Sequence, residues 1–261
     1  MTTENRAMIN WRERFVAFSI HFAATLALAA IAAGLIFFLW FPHPFETMIG
    51  GTELFMLVVG CDLALGPLLS LVIYNTRKSR FKLVMDYTIV GVVQLAAMVY
   101  GVLIVAGTRP VYVAFNKDRL EVVTARDIED SELAAARDPQ FSRLPWNGPR
   151  LVYIQVPKQD QQDALMQSVA GREEHQRPKF FVPYEQGLAE IRKRARPVSR
   201  ITKRLPDTAP QFDAALAKLG TIPPERIAAL PVRHRNGFWT ALIDTATGMP
   251  VAYVPVDPYG D

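Results

Sequence analysis

The chain has 261 residues, half of them hydrophobic, with 29 Lys and Arg against 25 Asp and Glu and a single cysteine. That length holds one membrane module and one soluble domain but little more. A formal charge of +4, with the basic residues at particular membrane edges, argues against nucleic-acid binding. One cysteine, Cys61, excludes an intrachain disulfide and a thiolate-rich zinc site, and its place in an apolar run predicts a small packed side chain.

The hydrophobic residues concentrate before Gly107 in three runs, each close to the roughly 20 residues that cross a hydrocarbon core about 30 Å thick. Residues 18–40 carry no charge, residues 54–74 carry only Asp62, and residues 87–107 carry none. Trp40, Tyr74 and Tyr87 stand at the ends of these runs, where an amphipathic ring suits the headgroup level. The first run is longer than a signal-peptide core and ends in bulky residues from Phe37 to Pro42, so it is expected to be an uncleaved anchor. Arg6, Arg12 and Arg14 before the first run mark a cytoplasmic N-terminus. The next loop has Glu46 and Glu53 but no Lys or Arg, and the one after it has Arg77, Lys78, Arg80 and Lys82. Three crossings then put the residues from Thr108 onward outside the cytoplasm, in a bacterium the periplasm.

Asp62 falls near the midplane of the second helix, where a carboxyl is costly enough to face the bundle interior and find a partner. Gly66 and Pro67 follow, and a proline here removes the helical donor to the carbonyl of Leu63 and predicts a bend. Counting depth along antiparallel helices makes Tyr100 the first candidate partner, with Gln94 about a turn nearer the cytoplasm. Two readings stand side by side: a hydrogen-bonded packing residue, or a docking point for another transmembrane helix. A proton or ion pathway is the weaker variant, since three helices without a repeated half offer little of one.

After Gly107 the periodicity changes. Residues 111–115 read as a strand, Asn116-Lys117-Asp118 as a turn and residues 120–123 as the returning strand. A helix is expected from near Asp127 to before Pro139, a strand over 151–156, and helices over 158–170, 184–194 and 210–219. Strands over 237–243 and 249–254 close the chain around a Gly248-containing turn. The expected architecture is a membrane α-helical bundle of three transmembrane helices, residues 1–107, followed by an α+β periplasmic domain with antiparallel pairings, residues 108–261.

The chemistry-bearing motifs are mostly absent. His21, His43, His175 and His234 are scattered, and the sequence has no CxxC, HExxH, GxSxG or Gly-rich phosphate loop. No metal, no cofactor and no catalytic residue is expected, and the chain reads as a non-enzyme. One charged stretch stands out: Arg192, Lys193, Arg194 and Arg196, continued by Arg200, Lys203 and Arg204. Its bland reading is a solvated helix end; its sharper one is attraction to anionic lipid or an acidic protein.

Three stretches carry a resemblance: Asn10-Trp11-Arg12-Glu13-Arg14-Phe15, Gly50-Gly51-Thr52-Glu53-Leu54-Phe55, and Asp62-Leu63-Ala64-Leu65-Gly66-Pro67-Leu68-Leu69. With Arg109-Pro110-Val111-Tyr112, Phe115, Arg119 and residues 122–128, they resemble the type IV pilin accessory family (TfpX/TfpZ-like proteins). The resemblance implies a bacterial inner-membrane protein, without catalytic activity, that helps or chaperones a cognate type IV major pilin in pilus assembly. The inner-membrane pilus assembly machinery is a further implied partner. Two other classes are alternatives: a membrane-anchored periplasmic ligand-binding sensor, and less favourably an envelope enzyme.

Overall fold

The computed structural model describes residues 11–73 and 79–260, so Arg6, Asn10, Tyr74, Arg77 and Lys78 lie outside the described residues. Three helices among the described residues are long and apolar enough to cross a membrane: Trp11–Trp40, Gly51–Ile73 and Arg80–Thr108. The first is α-helical as α1 (Trp11–Gly34) and widens to a π-helical stretch over Leu35–Trp40. The other two are α3 (Gly51–Ile73), with Pro67 inside it, and α4 (Arg80–Thr108); the four-residue α2 (Phe45–Met48) lies between α1 and α3. Their outward faces carry large apolar side chains such as Ile20, Ile31, Val72 and Leu103, as a lipid-facing surface does. Cys61 lies on that exposed face rather than in the packing the sequence suggested.

The chain forms two compact units, and they are not consecutive in sequence. One joins the residues up to Ile36 with Thr52–Val105; the other joins Phe37–Gly51 with the residues from Ala106 on.

The second unit is an α+β domain. Its strands are β1 (Pro110–Asn116), β2 (Arg119–Thr124), β3 (Arg150–Ile154), β4 (Phe181–Pro183), β5 (Arg196–Pro197), β6 (Ile227–His234), β7 (Gly237–Asp244) and β8 (Pro250–Val254). Among the described residues they make one sheet in the order β4-β3-β1-β2-β6-β7-β8, with β5 added to β6. The two expected hairpins are present: β1 returns as β2 through Lys117 at φ 60°, and β7 returns as β8. Two pairings are parallel, β1 with β3 and β2 with β6, where only antiparallel ones were expected. Parallel neighbours need a crossover, so local periodicity cannot reveal them.

The helices of this unit are α5 (Asp130–Ala134), α6 (Gln161–Val169), α7 (Leu188–Arg194), α8 (Ser199–Arg204) and α9 (Ala209–Lys218). The expected start at Asp127 moves to Asp130, because the Asp127 carboxylate turns back to accept from the Thr124 amide at 2.8 Å and closes a single 3-10 turn.

Side chains alternate across the pleat and fill a core on each face of the sheet. Val113, Phe115, Leu230, Val232, Ala241 and Ile243 pack on one side with Tyr184 and Ile191. Tyr112, Ala114, Val152, Phe180 and Phe181 pack on the other, beside a cluster of Phe212, Ile227, Ala229 and Leu242.

The first of these cores also takes Phe45 and Met48 of α2, which are 6% and 1% exposed. Phe37–Gly51 lies inside the 1–107 span read above as the membrane domain, yet it packs with the α+β unit. The Phe45 ring meets Tyr253 edge-on at 5.3 Å. Gly148, at φ +49° and donating its N–H to the Leu39 carbonyl at 2.8 Å, pins the same segment to the loop before β3. A side chain there would combine left-handed strain with a 3.3 Å contact to Pro42. Trp40 is buried: it meets Trp146 edge-on at 5.6 Å, and the Arg109 guanidinium sits 5.9 Å from both rings. Burying Phe45 and Met48 stabilises the unit by about 1.5–3 kcal/mol each.

Candidate functional site

The polar side chains of the helical unit converge on one cavity. Helices α3 and α4 run antiparallel and touch at two glycines. A Cβ on Gly66 would fall 1.9 Å from Nε2 of Gln94, and one on Gly101 would fall 2.5 Å from the Val58 side chain. These approaches bracket Asp62 and set its level against Met98. Small residues at such crossings let backbones approach closely, which is how a helix pair holds together where apolar burial gives no drive.

Asp62 is 8% exposed and lines a cavity of about 190 Å³ with His21, Thr25, Gln94 and Met98. His21 of α1 holds the centre of the network. Its Nε2 lies 2.7 Å from the Gln94 carbonyl oxygen and its Nδ1 meets the Ser70 hydroxyl. An amide oxygen can only accept, so neutral His21 carries its proton on Nε2 and takes the Ser70 proton at Nδ1. Thr25 donates to the His21 carbonyl at 3.0 Å, and Arg14 donates to the Leu71 carbonyl at 3.2 Å near the C-terminal end of α3. Three helices are thus tied by hydrogen bonds through His21. Two groups remain over: the Asp62 Oδ2 acceptor and the Gln94 Nε2 donor make no hydrogen bond among the described residues. Both atoms are buried and belong to residues that line the cavity, with the Gln94 Nε2 lying against Gly66.

The expected residues are partly brought together. Asp62 and Gln94 share the cavity, Gly66 is the notch that admits the Gln94 side chain, and Pro67 is buried beside it in α3. Tyr100 is 67% exposed and does not partner Asp62. Depth counting was off by about two residues, since Asp62 lies level with Met98, and at Tyr100 helical rotation points the ring out of the bundle. Sequence reasoning missed His21, Thr25 and Ser70; the usable signal was a histidine inside a charge-free apolar run, which needs a polar neighbour wherever it sits.

The basic stretch separates into different roles. Arg192 donates to the Ala246 carbonyl at 2.7 Å, Arg194 pairs with Glu190 at 2.6 Å, and Lys193 lies 3.9 Å from the same carboxylate. Arg194, Arg196, Arg200 and Arg204 line a groove of about 320 Å³, whereas Arg192, Lys193 and Lys203 do not.

A third cluster joins Glu121, Glu173 and His175, whose ligand-type atoms lie within 4.8 Å of one another, a spacing that could hold a metal ion. Arg233 already neutralises it, donating to Glu121 at 2.6 Å and also to Glu173. Burial pushes the Glu121 carboxyl up to about 7 against the pull of Arg233, and burial pushes His175 down to about 4 against the pull of Glu173.

Comparison with known sequences connects these features to an assembly process. The family described as fimbrial assembly protein FimB matches residues 9–50, which hold α1 and the segment packed into the sheet domain. The chain is similar to the fimbrial assembly protein of serogroup I of Dichelobacter nodosus, 31% identical over 243 residues that cover 92% of this chain and 94% of that protein. Its similarity to the serogroup E1 protein is 30% over 243 residues with the same coverage. The protein of serogroups C1 and C2 is 38% identical over 117 residues, 45% of this chain and 89% of that protein. No solved structure matches. Three apolar helices, a sheet domain that takes in the first loop between them, and similarity along nearly the whole length place this chain in the fimbrial assembly protein family, a membrane-inserted family related to type IV pilus assembly.

Proposed function

We propose that this protein is a non-catalytic helper, or chaperone, of one cognate major pilin, acting in the bacterial inner membrane before or during pilus assembly. The observation that carries the reading is the cavity around Asp62. In the lipid interior a carboxylate oxygen and an amide N–H without partners are expensive, so a bundle that keeps both at one cavity is suited to receive a polar group of another helix. A pilin waiting in the membrane presents an apolar helix there and a globular head beyond it. The α+β domain would meet the head and give selectivity for one pilin type.

Orientation has support from packing as well as charge. Phe37–Gly51 and the residues from Ala106 on share one core, so they lie on one side of any bilayer. A single crossing by α1 and a paired crossing by α3 and α4 would be consistent with that, and would set the start of α1 on the opposite side from the sheet domain. Arg12 and Arg14, with Arg80 and Lys82, favour the cytoplasm for the N-terminal side and leave the periplasm for the domain.

The test is surface piliation and pilin level in a deletion strain complemented with this chain. Fewer pili on deletion, restored on complementation, supports the helper role. Unchanged piliation with the cognate pilin present sinks it. A photo-crosslinking scan along α3 and over the sheet domain should yield pilin adducts from both.

A further inference from the structure

The groove beside β6 is built differently from an ordinary solvated helix end. On one side of β6 the neighbour changes along the strand. β5 pairs with Ala228 and Ala229, and β2 pairs with Val232 and Arg233, leaving Leu230 and Pro231 between them. The groove opens at that interval. Its floor is Ala229, Leu230 and Pro231, and Pro258 and Tyr259 line it as well. Its rim is cationic: Arg196 on β5 and Arg200 and Arg204 on α8 are exposed and pair with no carboxylate among the described residues, while Arg194 is held by Glu190. The one acid lining it, Asp118, is taken by Arg119 at 2.9 Å.

We infer that this groove binds an acidic polypeptide segment, with carboxylates on the Arg196, Arg200 and Arg204 guanidiniums and an apolar side chain against Pro231 and Tyr259. Planar guanidinium forks match carboxylates in two-bond geometry, and three guanidiniums around one concavity, without a carboxylate partner among the described residues, favour an anionic occupant. The apolar floor selects between anionic surfaces. An acidic peptide can bring a hydrophobic side chain to the depth of its carboxylates, whereas a phospholipid headgroup keeps its carbons behind it in the bilayer. The inference does not depend on which protein carries the segment.

The experiment uses the full chain in phosphatidylcholine nanodiscs and a fluorescein-labelled hexapeptide of alternating glutamate and leucine, read by anisotropy. Binding should weaken roughly tenfold or more in Arg200→Ser/Arg204→Ser, and roughly twofold or less in Lys193→Ser/Lys203→Ser, which removes the same charge outside the groove. The glutamine version of the peptide should not bind, and added salt should weaken the glutamate version. Equal weakening in the two double variants overturns the inference, because net charge would then suffice. So does absence of glutamate-peptide binding, or capture of phosphatidylglycerol vesicles, but not of the peptide, that is lost in the groove variant.

Discussion

Gly66 and Gln94 meet across α3 and α4 so closely that the space of one methyl group on Gly66 is already filled by the Gln94 amide. Replacing Gly66 with Ala therefore expels Gln94 and breaks its bond to His21. We expect Gly66→Ala to destabilise the helical unit by about 1–3 kcal/mol, read as a lower thermal midpoint in detergent. Gly60→Ala, where a new Cβ meets nothing within 4 Å, should be neutral. Equal midpoints for the two would show that the crossing is looser than described.

Asp62→Asn keeps the shape of the side chain and its ability to hydrogen-bond while removing its ability to ionise. The expected outcome is unchanged protein level with fewer surface pili, counted by electron microscopy beside an immunoblot of membranes. Normal pilus numbers would reduce Asp62 to a packing residue of the bundle.

Phe45 sits in the core of the sheet domain although it belongs to the chain between two membrane helices. Phe45→Ala should destabilise that domain by about 3–5 kcal/mol, seen as earlier loss of protease resistance in the full chain. A fragment starting at Thr108 lacks Phe41, Phe45 and Met48 and is expected to expose the face they cover and to aggregate. A soluble, cooperatively unfolding fragment would refute this.

Glu121 and His175 give opposite pH dependences. The folded-state pKa of Glu121 is raised from 4.5 to about 7, so its contribution to stability is full below 4.5 and is lost as pH rises through 7. That of His175 is lowered from 6.5 to about 4, so its contribution is present above 6.5 and is lost as pH falls through 4. Between these limits the two slopes cancel. The depressed carboxylates Glu174 and Asp244 titrate below this window. Burial also lowers the pKa of His234 from 6.5, which adds a slope of the same sign as that of His175, so the double change His175→Asn/His234→Asn should leave the Glu121 slope alone, about 1 kcal/mol lost per pH unit between pH 5 and 6.5. The thermal midpoint of the variant should fall over that range while the parent's does not; a level variant would remove the assignment.

Much of this architecture could be read without coordinates because hydropathy and turn chemistry are local. The three apolar helices, the Asn116-Lys117-Asp118 hairpin and the closing strands follow from short windows. Strand β6 did not, since Pro231 argues against a central strand; it is tolerated in the interval where neither β2 nor β5 pairs with that edge. The parallel pairings of β1 with β3 and β2 with β6 join residues far apart in sequence, and no local pattern encodes them. At the cavity, Asp62 announced itself as a lone carboxyl in a hydrophobic run, while His21 and Ser70 declare their partnership only once helix rotation is fixed. The apolar residues of Phe37–Gly51 were visible, but a sequence does not say that a connecting segment is a piece of a core.

That shared core has a consequence for biosynthesis. Phe45 and Met48 leave the ribosome about sixty residues before the first strand of the core they join, and they would reach it only once α3 and α4 had both been threaded through the bilayer as a hairpin. A chain whose hairpin stalls would hold the segment and the sheet in different compartments, and the domain could not close. Completion of the sheet domain is thus coupled to insertion of the two helices between its parts.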